Sequence, residues 1–278
     1  MNTKFSLAEF RTELNDIWSK FDSLYASLQP GAWDRKFGKD WTFADQPFHM
    51  SFIDDMVAHN ISAGDSIPEV ERVLANDEAS LRSWNAERLA TRPAGQTGPQ
   101  SLDQWKKSRQ TILDAVSRFT EADLNRKAWM PIFMGWADAR GLLSFSLAHA
   151  VGEYWELMTR LKKHGPLPTA KDIKFRFDMV MGVMPLLMKK EAAKGVTLTA
   201  VMTFTGPGGG SWTLNIKDGE CQVSEGRAAK RDLEMTTDFS GFEKMGRKMA
   251  NPMIMMLTRQ VKVSGMGKMG TFGKIFPM

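Results

Sequence analysis

His149 and Glu153 stand four residues apart in "FSLAHAVGEYWEL", residues 145–157, in a chain of 278 residues that has four histidines. On an α-helix this spacing puts both side chains on one face, one turn apart. An imidazole nitrogen and a carboxylate oxygen so placed are two of the donors that a divalent transition metal such as zinc takes up. The helix wheel also allows a plainer reading. Glu156, His149, Arg160, Glu153 and Ser146 share a polar arc opposite Leu143, Leu147, Ala150, Val151, Tyr154, Leu157, Met158 and Leu161, as on a helix with one solvated side. Metal ligands and a solvated face are both open for this pair.

His49 is of another kind. In "PFHMSFIDDMVAHN" it falls inside the apolar arc with Phe52, Ile53, Met56 and Val57, while Ser51, Asp54, Asp55 and His59 make the polar side. An imidazole pointing into a bundle needs partners, and a polar stripe on another helix can supply them; otherwise it is a hydrogen-bonded core residue. His59 and His164 read as surface histidines, and the lone Cys221, which excludes an internal disulfide framework, reads as structural. No Ser-His-Asp arrangement, phosphate-binding glycine loop or histidine-paired cysteine stands out, so no nucleotide cofactor and no second catalytic apparatus are expected.

These residues need helices to hold them. Up to residue 163 apolar residues recur at threes and fours, with breaks at "LQPGAW", "TRPAGQTGPQS" and "KKHGPLP". The pattern predicts helices near 6–28, 43–60, 67–90, 101–118 and 138–163. Ser6 before Glu9, Ser101 before Gln104 and Thr120 before Asp123 have capping-box spacing or nearly so. A four-helix bundle is the economical architecture. After "HGPLPTAKD" and a helix near 173–193, "VTLTAVMTFTGPGGGSWTLNIKDGECQVSEG" alternates in twos with turns at "GPGGG" and "DG", which predicts a β-meander. A strand "DLEMTTDF", a helical "SGFEKMGRKMA", a short "NPMIMMLT", a strand "QVKVSG" and a closing helix follow. The fold class is mixed: an all-α bundle over 1–165, a linker over 166–172 and an α+β domain over 173–278.

Composition divides in the same place. Residues 171–278 hold 14 of the 23 glycines and 14 of the 20 methionines, and residues 1–170 hold eight of the nine tryptophans. Lys and Arg number 20 against 22 Asp and Glu up to residue 170, then 17 against 10. A basic C-terminal domain suits an anionic membrane surface or a phosphate-bearing ligand, and without an arginine-rich or basic-aromatic run no nucleic acid is expected. The N-terminus lacks a secretory pattern and no stretch approaches the ~18–20 apolar residues of a membrane span. The expected protein is soluble and cytoplasmic, and the sequence leaves both a monomer and a homodimer open.

The order "KDWTFADQPFHMSFIDDM", "FTEADLNRKAW" and "ARGLLSFSLAHAVGEYWELMTRL" resembles the DinB-like superfamily of four-helix bundles over roughly residues 5–165. That resemblance implies a three-ligand site for a divalent metal (zinc, nickel or iron) with open positions for water or a thiol. By position the ligands are His49, His149 and Glu153. In the mycothiol-dependent maleylpyruvate isomerase branch the glutamate precedes the histidine of the pair; here the order is reversed. That branch also joins such a bundle to a carrier-like C-terminal domain.

The methionines of "KMGRKMANPMIMMLTRQVKVSGMGKMG" are dense even for a core. Flexible and polarizable, they suit a cavity wall that adapts to apolar ligands, or they fill space under a small sheet. The run from "TFTGPGGGSW" to "GKIF" resembles the sterol carrier protein type-2 domain, which implies a five-stranded sheet covered by helices around an apolar cavity. By analogy of position the wall is Met245, Met249, Met253, Met256, Leu257, Phe272 and Phe276. The ending "IFPM" is not a peroxisomal address. The expected function is binding or transfer of a hydrophobic ligand (fatty acid, acyl thioester or sterol-like), with a metal-dependent thiol transferase or isomerase as the alternative.

Overall fold

The structure is a computed structural model, and it describes residues 5–38, 40–75, 77–132, 135–162 and 165–276. His164 lies outside the described residues. The chain divides into two compact units, the first ending at Leu167 and the second beginning at Pro168. Among the described residues no helix is long and apolar enough to cross a membrane.

The first unit is built on five helices: α1 (Leu7–Ala26), α2 (Asp45–Ala63), α3 (Glu78–Leu89), α4 (Gly98–Ser117) and, after a hairpin of β1 (Lys127–Met130) and β2 (Gly135–Asp138), α5 (Ala139–Leu161). The α1 start is fixed by a reciprocal capping box between Ser6 and Glu9. Its Phe10, Leu14, Ile17 and Phe21, at helical spacing, are fully buried. Phe21 meets Trp105 of α4 and Tyr154 of α5 edge-on, with ring centroids 4.8 and 5.3 Å apart, so Phe21→Ala would cost about 3–5 kcal/mol.

Three expectations are corrected here. The stretch 67–90 is not one helix: Pro68 holds Ile67 in an extended conformation, ψ 128°, Glu69–Glu71 is a single 3-10 turn, and the α-helix runs over Glu78–Leu89. The α4 start lies under the capping box of Thr97 and Gln100 rather than Ser101 and Gln104, and Ser101 is buried inside the helix. Gly98 is needed there because a Cβ would lie 2.2 Å from the Trp33 ring. The third concerns α5, which has no broad solvated side. Ser146, Glu153 and Glu156 of its polar arc are buried together with its apolar residues.

The second unit opens with α6 (Ala170–Leu187) and a single turn, α7 (Lys190–Ala193). A break at Met188, ψ 127°, separates them, where one helix near 173–193 was expected. Then come β3 (Thr197–Thr205), β4 (Gly210–Lys217), β5 (Glu220–Glu225), β6 (Leu233–Asp238), α8 (Phe239–Gly246), α9 (Pro252–Leu257), β7 (Val261–Ser264) and α10 (Met269–Ile275). The sheet order is β5-β4-β3-β6-β7, with β3 and β6 parallel and the other neighbours antiparallel. At the β4–β5 turn Asp218 and Gly219 both have positive φ, 48° and 84°, as a two-residue hairpin with right-handed strand twist demands. Leu198, Ala200, Met202 and Phe204 of β3 alternate into the core with Trp212, Leu214 and Ile216 of β4. Phe177 of α6 lies flat on Phe204, centroids 3.9 Å apart, which seats α6 on the sheet.

Candidate functional site

The α2 helix carries His49 inward and α5 carries His149 and Glu153 toward it. His49 Nε2 lies 3.2 Å from His149 Nε2, and His149 Nε2 lies 3.7 Å from Glu153 Oε1. One ligand atom from each of the three lies within 4.8 Å of the other two. Two donors bound at ~2.0–2.1 Å to one tetrahedral ion stand about 3.3–3.4 Å apart. Two imidazoles and one carboxylate at these separations therefore fit a divalent transition metal. His49 and Glu153 are buried, while His149 is half-buried.

Surrounding groups fix the triad. Gln46, one turn before His49, turns its Nε2 toward Glu153 Oε2 at 3.5 Å and accepts a hydrogen bond from the Tyr25 hydroxyl at Oε1. Burial pushes the Tyr25 phenol well up, against the pull of Arg109, so it stays protonated as donor. The rings of Trp41 and Phe52 stand 4.7 and 4.9 Å from His49, and Phe145 stacks 5.5 Å from His149. Aromatic rings thus pack against both imidazoles.

The polar side of α2 also carries an enclosed carboxyl. Asp54 is buried, and it accepts hydrogen bonds from Trp105 Nε1 at 2.7 Å and Ser146 Oγ at 3.4 Å. Burial pushes its carboxyl up to about 7, against the pull of the Trp105 hydrogen bond and the Arg109 charge. A Trp two turns along a neighbouring helix was the available signal, because a buried indole N–H needs an acceptor. His59 is exposed beside Glu71, with Nε2 and Oε2 2.9 Å apart.

In the second unit an open groove of about 540 Å³ is lined by Met253, Met256 and Leu257 of α9, by Arg259, by Val261, Lys262 and Val263 of β7, and by Met266. Of the residues picked out by position, Met253, Met256 and Leu257 lie in this groove. Met245 and Met249 are half-buried elsewhere, and Phe272 and Phe276 are buried against each other, centroids 4.9 Å apart. The groove also carries two cations, Arg259 and Lys262, to which no apolar pattern points. Cys221 is half-buried on β5, and burial raises its thiol to about 11, which leaves it protonated and unreactive.

The sequence profile of the DinB superfamily matches residues 13–156, more than half of the chain. The chain belongs to the DinB superfamily. The profile of the SCP-2 sterol transfer family matches residues 186–277 of this DinB-superfamily chain. No curated protein sequence matches it. Among solved structures it is similar to a mycothiol-dependent maleylpyruvate isomerase, in a substituted form at 11% identity, 86% of this chain and 88% of that one, TM-score 0.52. The unsubstituted form gives 10% identity and TM-score 0.51 over the same shares. At that identity the likeness is one of fold. A sterol carrier protein 2 from Yarrowia lipolytica is 18% identical over 36% of this chain and 91% of that one, TM-score 0.30. An inverting sec-alkylsulfatase from Pseudomonas sp. is 16% identical over 50% of this chain, TM-score 0.32, and the DinB-superfamily chain spans 24% of its length.

Proposed function

We propose that the bundle is a divalent-metal site held by His49, His149 and Glu153, and that it serves a metal-dependent thiol transferase or isomerase. The observation that carries this is the 3.2 Å approach of the two imidazole nitrogens from different helices, with Glu153 Oε1 3.7 Å from one of them. Three protein donors leave coordination positions open, as in catalytic rather than structural sites. Such an ion, when bound, supplies Lewis acidity that lowers the pKa of a water or thiol. Gln46 orients the Glu153 carboxylate, the Trp41, Phe52 and Phe145 rings pack against the imidazoles, and His149 gives the access from solvent. The fold likeness to a mycothiol-dependent isomerase, over most of both chains, supports a thiol as cosubstrate.

The second unit is assigned to holding a hydrophobic small molecule or lipid. The Met- and Val-lined groove and the match to the SCP-2 sterol transfer family support that assignment. Burial of apolar area drives such binding at about 25 cal/mol per Å² before ordering costs.

The test is elemental analysis of untagged protein beside His49→Ala, with thiol-dependent isomerase turnover assayed in both. About one equivalent of zinc, nickel or iron, lost with turnover in the variant, is the expected result. Wild-type protein that takes up no metal after reconstitution would overturn the reading.

A further inference from the structure

We infer that the face of the second unit formed by α9, the groove beside β7 and the turn after it docks on an anionic phospholipid surface. This goes beyond the proposed function, because the partner is a surface and not the molecule in the groove. Met253, Ile254 and Leu257 of α9 are 61%, 58% and 81% exposed, and Met266 is 55% exposed. The spacing of the three α9 residues puts them on one helix face, while Met255 is buried and anchors the helix to the unit. Met253, Leu257 and Met266 line the same groove, so the exposed side chains form one patch. An exposed contiguous patch of large apolar side chains marks an interaction site.

Charge decides the partner. Residues 244–278 contain seven Lys and Arg and no Asp or Glu. Arg259 and Lys262 are exposed at the groove itself, and Lys268 is exposed two residues after Met266. Protruding apolar side chains flanked by Arg259, Lys262 and Lys268 match an anionic bilayer, where apolar groups enter the acyl boundary and cations meet headgroups. A second copy of the chain fits poorly, because an isologous contact at this face would set like charges against one another.

The test uses the full-length protein in co-sedimentation with vesicles of phosphatidylcholine alone and of phosphatidylcholine with phosphatidylglycerol. Screening lengths of ~30 and ~8 Å are compared, beside the double variants Arg259→Ser/Lys262→Ser and Met253→Ser/Leu257→Ser. All four side chains are exposed, and circular dichroism checks that the variants fold. The expected result is binding that requires the anionic lipid, weakens with salt and falls about thirtyfold on loss of the two cations. The apolar double variant is expected to lose binding even at low salt. Wild-type protein that ignores anionic vesicles at low salt, or variants that bind like wild type, would overturn the inference. So would sedimentation velocity showing a dimer that the apolar substitutions break. Binding of a soluble fluorescent fatty acid to wild-type protein is measured in parallel: if wild-type protein binds the fatty acid but not the anionic vesicles, the docking surface is wrong and the hydrophobic-ligand reading still stands.

Discussion

Trp105 Nε1 donates a hydrogen bond to Asp54 Oδ2 at 2.7 Å, joining α4 to α2 through a carboxyl with no access to solvent. The pair shows how the bundle handles a titratable group in its core. Burial makes the charged form costly and the indole, the Ser146 hydroxyl and Arg109 recover part of that cost, which leaves a pKa near the middle of the physiological range, at about 7.

Asp54 therefore gives the fold a pH dependence with a definite sign. The folded protein holds this proton more tightly than the unfolded chain, where the group titrates near 3.8. Its contribution is fully present below that value and is lost as pH rises through about 7. Asp54→Asn keeps an acceptor for Trp105 but cannot ionise. Its urea midpoint should gain on wild type as pH is raised from acid to mildly alkaline; parallel curves would refute the assignment.

Gln46 is expected to act on metal affinity without being a ligand. Its amide faces Glu153 and its carbonyl receives the Tyr25 hydroxyl, and partners of this kind typically contribute about 10- to 100-fold to metal affinity. Gln46→Ala should weaken zinc binding by about that factor, read by competition with a chromophoric chelator. Unchanged affinity would mean that Glu153 is held by other contacts.

In the second unit Glu243 is 1% exposed and receives Arg176 Nε at 2.7 Å and Arg247 Nε at 2.9 Å. Burial pushes its carboxyl up, but the two guanidinium groups outweigh this and hold it below the usual range. That stabilisation is present at neutral pH and disappears as pH falls through the depressed value. Arg176→Met together with Arg247→Met should cost about 3–5 kcal/mol in chemical denaturation, and adding Glu243→Leu should restore most of the loss.

Gly265 and Gly273 should respond oppositely to alanine. Gly265 has φ 78° and a Cβ there would lie 2.0 Å from the Asp232 carbonyl oxygen, whereas nothing lies within 4 Å of a Cβ at Gly273. Gly265→Ala should cost more than ~1 kcal/mol and disturb β7. Gly273→Ala, inside α10, should gain about 0.5–1 kcal/mol. Thermal unfolding of the two variants makes the comparison.

The long helices were legible because their apolar spacing and caps act locally, as at Ser6–Glu9 and in the run Phe10, Leu14, Ile17, Phe21. His49 declared itself by standing in an apolar arc. Its partners were harder to see, because a wheel separates polar from apolar positions and not wet from dry ones. In α5 the polar arc with Glu153 and Ser146 is enclosed by other helices. The hairpin was missed for a related reason. Its strands are four residues each, and Trp129 and Trp136, paired across them with centroids 5.5 Å apart, read equally well as helix or loop. In the C-terminal domain alternation and the Asp-Gly turn located the meander. The mouth of the groove needed the three-dimensional meeting of α9 with β7, which no periodicity encodes.

All three members of the His49, His149 and Glu153 cluster lie in the unit that ends at Leu167. A ribosome finishes that unit while the sheet is still unmade, and the sheet cannot close early: its middle strand β3 lies between β4 and β6, and β6 begins only at Leu233. Domains fold as units and the N-terminal one first. The three side chains can therefore come together before the sheet is made, so assembly of the proposed metal site does not depend on the second unit.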